Sequence, residues 1–563
     1  MIQKKTSLFK YAGIMLLLIG SLSYMACSDH FNDYYKSKGA KADKTLIELI
    51  SENPDLSTFK TLLEQSGYAD LLQGSALYTV WAPTNEALKD FDASDPTDVK
   101  NLVGIHLARF IHNASGNRLA LTDAGAQNRD NIIYSVNSKQ IKFLGTPAGG
   151  YTVNGNRLAT ANMLASNGVL HTIDSPIAFV RNIWEYLALN NLDSIRAYLY
   201  PFDTLTFNVS MSKELDYNEE GLTLYDSVFT KSNTILYNLN DKGLGYIDNE
   251  DSIYTMIVPT NQAWTAAYDR IKPYFYTTAT DADSLQRMNT QYAVVQDLVF
   301  RGRIDPNVYG AADSLVSTRG AVFYDPSHLF AGATEYEASN GKVYVVDNYD
   351  LSAWESWQRK MTVEAENANL WRGREKQSDG FVDYETNNLL RGRYNWSRSD
   401  ISNHGYLAVN NTAQAVTTHI FALIEIPNTL HATYNIYVRL LPNWWEWNVK
   451  SERTIIRYDI QQLDRSTKYA KYDDKVWTSL IGSGKDGKTT AAQDKEGTEG
   501  AASDSIVPKR ILLAENFTFP EANYGEDVNT VRVKIVAYIS NSQARQGYNN
   551  RMLIDCIELE PVH

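Results

Sequence analysis

Three tryptophans within four residues, Trp444, Trp445 and Trp447, flanked by Asn443 and Glu446, are the side chains of this sequence best suited to molecular recognition. Indole rings stack on the apolar faces of sugars, and Asn443, Glu446 and Asn448 offer hydrogen bonds to hydroxyls. The alternating run Tyr434 to Leu440 ends at Pro442, which cannot donate to a strand ladder, so the cluster is expected at a strand end, where binding loops are displayed. If the strand continued instead, Trp444 and Trp445 would point to opposite faces, and at least one would pack into a core or against a neighbouring domain. A protein partner is the third use, because aromatic clusters also form hot spots.

A second chemistry-bearing run, Gly482 to Thr489, fits the phosphate-loop pattern and follows the strand-like Val476 to Ile481. A phosphate loop must open a packed helix. The continuation, Thr490 to Gly500, is charged and glycine-rich with no apolar face, so residues 482–505 are expected to form a mobile loop and no nucleotide is expected. No His-Glu-x-x-His helix, Cys-x-x-Cys pair or Gly-x-Ser-x-Gly elbow occurs, so no catalytic residue is assigned and the chain is not expected to be an enzyme. A formal charge of −13 argues against nucleic acid, whose binding needs a basic face.

These groups must be positioned by several domains. With 563 residues, 44% hydrophobic and 21% charged, the chain is globular in composition and long enough for about three to four cores. The strongly apolar run, Ile14 to Ile19, is too short to span a bilayer; it follows Lys4, Lys5 and Lys10 and precedes Ala26 and Cys27. Residues 1–27 resemble a lipoprotein signal peptide, which implies acylation of Cys27 and anchoring in the outer membrane of a Gram-negative bacterium. The acidic residues Asp29 and Asp33 resemble signals that send such lipoproteins to the cell exterior, and residues 28–43 read as a polar tether. Cys556, left without a partner, reads as a small apolar side chain in the strand-like run Leu553 to Leu559.

The chain also repeats itself. Tyr78 to Asn85 recurs as Tyr254 to Asn261, and Ala165-Ser166-Asn167-Gly168 recurs as Ala338-Ser339-Asn340-Gly341. The offset of roughly 175 residues exceeds a solenoid period and indicates two homologous domains. In the first motif an apolar strand stops at Pro83, and Thr84 or Asn85 is placed to cap a helix starting at Glu86. In the second, Asn167 and Gly168 are expected to supply the positive φ of a tight turn before an alternating strand. Leu46, Ile47, Ile50, Phe59, Leu62 and Leu63 recur at helical spacing, so helices precede the sheet and the class is α+β. Both motifs, in this order and spacing, resemble the fasciclin domain family, with copies at 44–180 and 181–350. His106 matches the family's internal histidine, and a lone His on an apolar helix reads first as a core residue held by a backbone hydrogen bond. The second copy departs from the pattern, with Leu298-Val299-Phe300 in place of the His region and a polar insertion around Ser210 to Glu250.

From Met361 the sequence becomes β-rich, with alternation at Thr362 to Glu366, Tyr434 to Val438 and Arg532 to Val536, the pattern of an antiparallel β-sandwich over 361–563. Its first and last strands resemble those of family 6 and family 35 carbohydrate-binding jelly rolls. That resemblance implies a structural calcium, for which Glu364, Glu366 and Asp555 would supply hard oxygen ligands if the terminal strands pair. Together the resemblances imply a surface lipoprotein that binds a glycan beside a TonB-dependent transporter and its lid lipoprotein, or alternatively an adhesin acting between cells or on matrix.

Overall fold

The computed structural model describes residues 42–562 except 117–131, 190, 211–212, 218–222, 227–228, 238–242, 311–312, 350, 372–373, 378–379, 384–388, 411–414, 418–419, 448–452, 464, 466–476, 483–502, 505 and 526–528. Cys27, the signal segment 1–27, the tether up to residue 41, Asn448 and nearly all of the loop 482–505 lie outside the described residues. The chain forms two compact units, divided between Val180 and Arg181.

In the first unit, helix Leu46–Glu52 starts at a capping box in which Thr45 and Glu48 satisfy each other's backbone N–H groups, and helix Ser57–Gln65 follows. They bury Leu46, Ile50, Phe59, Leu62 and Leu63. The sheet has seven strands in the order Leu107–Arg109, Tyr78–Pro83, Gly168–Ile173, Asn156–Ala165, Gly150–Val153, Gln140–Thr146 and Ile132–Tyr134. Tyr78–Pro83 runs parallel to Gly168–Ile173, with Tyr78 opposite Gly168, and both strands are buried along their length. Two local expectations change here. At this turn Asn167 has no positive φ while Gly168 has one, at +156°, and a Cβ there would lie 2.0 Å from the Tyr78 carbonyl oxygen, so glycine is required by the close approach of the parallel strand. After Pro83 the Thr84 hydroxyl does accept the Ala87 N–H at 3.3 Å as a cap would, but the chain continues in turns rather than a helix, and the next helix is Pro96–Ile105, with Asp95 as its cap.

The second unit repeats this plan and extends it. Strands Val299–Arg301, Tyr254–Pro259, Gly341–Val346 and Thr334–Ala338 form a four-stranded sheet, again with a parallel central pair in which Tyr254 faces Gly341. Here the corner does lead into a helix, Asn261–Ile271, capped by Thr260. The insertion holds two antiparallel strand pairs, Asp203–Phe207 with Phe229–Asn233 and, between them in the chain, Lys213–Tyr217 with Thr223–Asp226. Beyond residue 360 two antiparallel sheets follow, one of eight strands and one of four. Residues of both, such as Tyr434, Ile436 and Ile557 from the larger and Ile424, Tyr458 and Val533 from the smaller, share one hydrophobic cluster. Strand Met361–Glu364 pairs antiparallel with Met552–Pro561, placing Glu364 opposite the buried Cys556.

The same cluster also contains the core of the second repeat copy, and polar bonds join the two parts of this unit. Glu521 accepts from the Thr278 backbone N–H at 2.8 Å and from its hydroxyl, and on its other oxygen from Gln462 and from Arg465 Nε at 2.9 Å. His431 N–H donates to the Tyr274 carbonyl at 2.9 Å, Asn289 donates to the Tyr524 carbonyl at 2.9 Å, and the rings of Phe275 and Tyr524 meet edge to face.

Candidate functional site

Pairing of the terminal strands brings Glu364, Glu366 and Asp555 to one place. Ser402 donates its backbone N–H to Asp555 Oδ1 at 2.9 Å and its hydroxyl to Glu364 Oε1 at 2.7 Å, while Asn403 Nδ2 donates to Glu366 Oε1 at 3.0 Å. Asn403 and His404 reach this geometry in left-handed backbone, φ 46° and 56°, and at Gly405 a Cβ would stand 2.3 Å from Glu366 Oε1. The remaining oxygens, Glu364 Oε2, Glu366 Oε2 and Asp555 Oδ2, are buried without a hydrogen-bond partner. Arg439 Nη1 lies 3.2 Å from Asp555 Oδ2, while its Nη2 donates to the Asp400 carbonyl at 2.6 Å. Burial pushes the Asp555 carboxyl up to about 7, Glu364 and Glu366 adding to the shift while Arg439 and the Ser402 N–H oppose it. Glu364 and Glu366 are themselves raised, chiefly by burial. Two orphaned carboxylate oxygens, on Glu364 and Glu366, beside the ion-paired Asp555 Oδ2 are hard donors of the kind a cation takes, although among the described residues no three His, Cys, Asp or Glu side chains converge into a ready-made cage.

The tryptophan cluster is built differently from a continued strand. Strand Thr433–Leu441 stops before Pro442, and Trp444–Trp447 form a single helical turn. That turn sends Trp445 and Trp447 onto a small apolar cluster of Ile401, Tyr406, Ala408, Leu441 and Leu553, with the Arg398 guanidinium 3.5 Å over the Trp445 ring. Glu446 accepts from Arg393 Nε at 3.1 Å and from the Tyr406 hydroxyl at 2.9 Å. Asn443 is fully buried and donates to Thr454 Oγ1 at 2.9 Å and the Arg551 carbonyl at 3.0 Å. Glu446 and the Asn443 amide nitrogen are thus engaged inside the protein, Asn443 Oδ1 and Trp445 Nε1 are buried without a hydrogen-bond partner, and all three indoles remain half-buried.

Sequence reasoning passed over a more exposed pair. Tyr394 and Trp396, 56% and 74% exposed, stack with ring centroids 6.1 Å apart and planes 12° from parallel, and His404 flanks Trp396 at 5.2 Å. Their spacing of two, which puts extended-chain side chains on one face, was the available signal.

In the first unit, polar side chains hold the fold. His106 is fully buried; its Nδ1 is 2.7 Å from the Leu102 carbonyl and its Nε2 accepts the Ile177 N–H at 2.8 Å, so the ring is neutral with the proton on Nδ1. Burial lowers its pKa to about 4, against a smaller opposing effect of the Leu102 carbonyl. Asn167 donates to the carbonyls of Leu72 and Gly74 at 2.8 and 3.0 Å and accepts the Leu46 N–H at 2.8 Å. Asn340 does the same in the second copy, donating to Ile247 and Asn249 at 2.8 and 3.1 Å and accepting from Ile183 at 2.9 Å.

Residues 54–179 match the family model of the fasciclin domain. Periostin of Homo sapiens is 27% identical over 151 residues, which make up 26% of this chain and 18% of periostin, so the chain spans under a fifth of that relative. Among solved structures, a FAS1 domain pair from the insect cell adhesion molecule fasciclin I aligns with 54% of this chain and 99% of its own at 14% identity and a TM-score of 0.21. A Paenibacillus xanthan lyase aligns with 40% of this chain and 16% of its own at 10% identity and a TM-score of 0.19. Neither alignment is close enough to transfer a fold or an activity. The match of the family model nevertheless shows that residues 54–179, which hold most of the helices and the sheet of the first unit, are similar to a fasciclin domain.

Proposed function

We propose that this protein is a non-catalytic surface lipoprotein, anchored through Cys27 in the outer membrane and facing outward, whose fasciclin domain makes adhesive contacts between cells or with matrix. The single observation that supports it is the family match over residues 54–179, since fasciclin domains are found in cell-adhesion proteins such as insect fasciclin I. The second repeat copy, with its own parallel pair and Asn340 pins, is read as a further fasciclin-like domain and the region from 361 as a jelly-roll sandwich. Bacteria displaying the full chain should aggregate, or adhere to matrix-coated surfaces, more than bacteria lacking it. The Cys27→Ala variant should lose both the effect and the membrane, because a multiply acylated cysteine anchors stably and an unacylated chain does not. Equal adhesion with and without the protein would end this reading.

A second reading, a glycan-binding accessory beside a TonB-dependent transporter and its lid lipoprotein, is favoured by the exposed Tyr394–Trp396 stack close in sequence to Arg393, which pairs with Glu446 of the tryptophan turn. Trp396→Ala should lose retention on immobilised polysaccharide at an unchanged melting temperature, whereas Trp445→Ala should lower stability by about 3 to 5 kcal/mol. Retention that is absent in the wild type removes the glycan. Calcium at Glu364, Glu366 and Asp555 belongs to either reading, as a strut between the terminal strands.

A further inference from the structure

A cavity of about 400 Å³ opens inside the second unit, where the second repeat copy, the segment leading to the sheets and the sheets themselves meet. Its size is that of a site for a small molecule. Arg319 comes from the repeat copy, Trp357, Arg359 and Lys360 from the connecting segment, and Tyr434 and Tyr524 from the β-rich part. The charge of its wall is one-sided: three cations line it, and no Asp or Glu does among the described residues. Lys360 is balanced by Glu558 and Glu560 at 3.0 and 3.2 Å, and Arg319 lies over the Tyr292 ring at 5.0 Å. Arg359, only half-buried, forms no hydrogen bond or ion pair with a described residue.

The neutral donors point to the same chemistry. Trp357 is 8% exposed, and its buried indole N–H meets no acceptor. The fully buried Tyr434 hydroxyl lies near the Leu430 backbone but outside hydrogen-bonding geometry, and burial keeps it protonated. A buried donor without a partner is costly to retain unless something bound there accepts from it. The Ser356 hydroxyl, by contrast, donates to the buried Asp297 at 2.8 Å and so is already satisfied. Trp357, Tyr434 and Tyr524 add aromatic walls suited to a ring.

We propose that this cavity binds a small carboxylate-bearing ring compound of the sugar-acid class, its carboxylate meeting Arg359 and the Trp357 N–H. The proposal stands apart from both the adhesive and the surface-platform readings, since it uses neither the fasciclin domain of the first unit nor Tyr394 and Trp396. The test titrates the full chain with glucuronate, glucose and inorganic sulfate in separate arms, read by tryptophan fluorescence and by melting temperature. Glucuronate should saturate and raise the melting temperature, glucose should do neither, and sulfate should bind more weakly. Arg359→Gln should weaken glucuronate by about tenfold or more, as expected for loss of a charge-assisted hydrogen bond, with the ligand-free melting temperature unchanged. Trp357→Phe, which keeps a ring and removes the donor, should weaken it too, and serves if the Arg359 variant proves unstable. The proposal is overturned by no response to glucuronate, by an equal response to glucose or to sulfate, or by unchanged affinity in both variants.

Discussion

At Asp555 a proton would compete with the proposed divalent cation for the same oxygens. A carboxyl whose folded pKa is raised to about 7 from 3.8 contributes stability that is complete below 3.8 and is lost as pH rises through about 7. The ion-free protein should therefore lose stability over that window, and calcium, which needs the ionised form, should restore it above pH 7 and act progressively less toward pH 5. Melting curves with calcium and with chelator across this range check it; a calcium increment that is absent, or as large at pH 5 as at pH 8, removes the ion from the site. His106 has the opposite sign. Its pKa is depressed from 6.5 to about 4, so its contribution is complete above 6.5 and is lost as pH falls through about 4. Acidification over that interval should destabilise the first unit by about 3 kcal/mol, and His106→Gln should flatten this dependence in urea titrations. The acids were legible in the sequence because they sit at the ends of strands that pair, whereas the way Ser402 and Asn403 wrap them was not, since a left-handed turn at Asn403 and His404 leaves little trace in residue type.

The element that organises each repeat copy is the parallel strand pair with its asparagine pin. Removing the Asn167 side chain orphans the Leu46 N–H and the carbonyls of Leu72 and Gly74, so Asn167→Ala should destabilise by about 2 to 4 kcal/mol, and Asn340→Ala by a similar amount. Chemical denaturation of the two variants reads this directly; a change under about 0.5 kcal/mol at either would show that the pin is dispensable. The repeat itself was legible because its motifs are local. The role of Asn167 was not, because its partners lie 121 and 95 residues away and a sequence reader sees only a turn-forming Asn-Gly. Similarly, alternation announced the strand before Pro442, but nothing in Trp-Trp-Glu-Trp distinguishes a strand end from a single helical turn; the turn packs two half-buried indoles against the cluster of Ile401 and Leu553.

On the scale of the molecule, the β-rich region and the second repeat copy share one core, joined by polar bonds that include those of Glu521. Its carboxyl pKa is lowered: burial raises it, but hydrogen bonds from Thr278 and Arg465 more than compensate. Glu521→Ala would leave Arg465 and Gln462 without their shared acceptor and should lower the stability of the whole second unit by about 3 to 5 kcal/mol. In calorimetry the second unit should melt in a single transition that moves down as one; a wild-type unit whose two halves melt separately would contradict the shared core. The composition at Met361 shows a change of texture, but it does not reveal that both textures build one interior. A mechanical consequence follows from the parallel pair described for the first unit. Tyr78–Pro83 is its first described strand and Gly168–Ile173 its last, and they lie side by side in the same direction. Tension applied across the unit pulls these neighbours lengthwise in opposite senses, so the ladder from Tyr78 to Pro83 bears the load in shear, all its bonds at once, instead of unzipping one rung at a time.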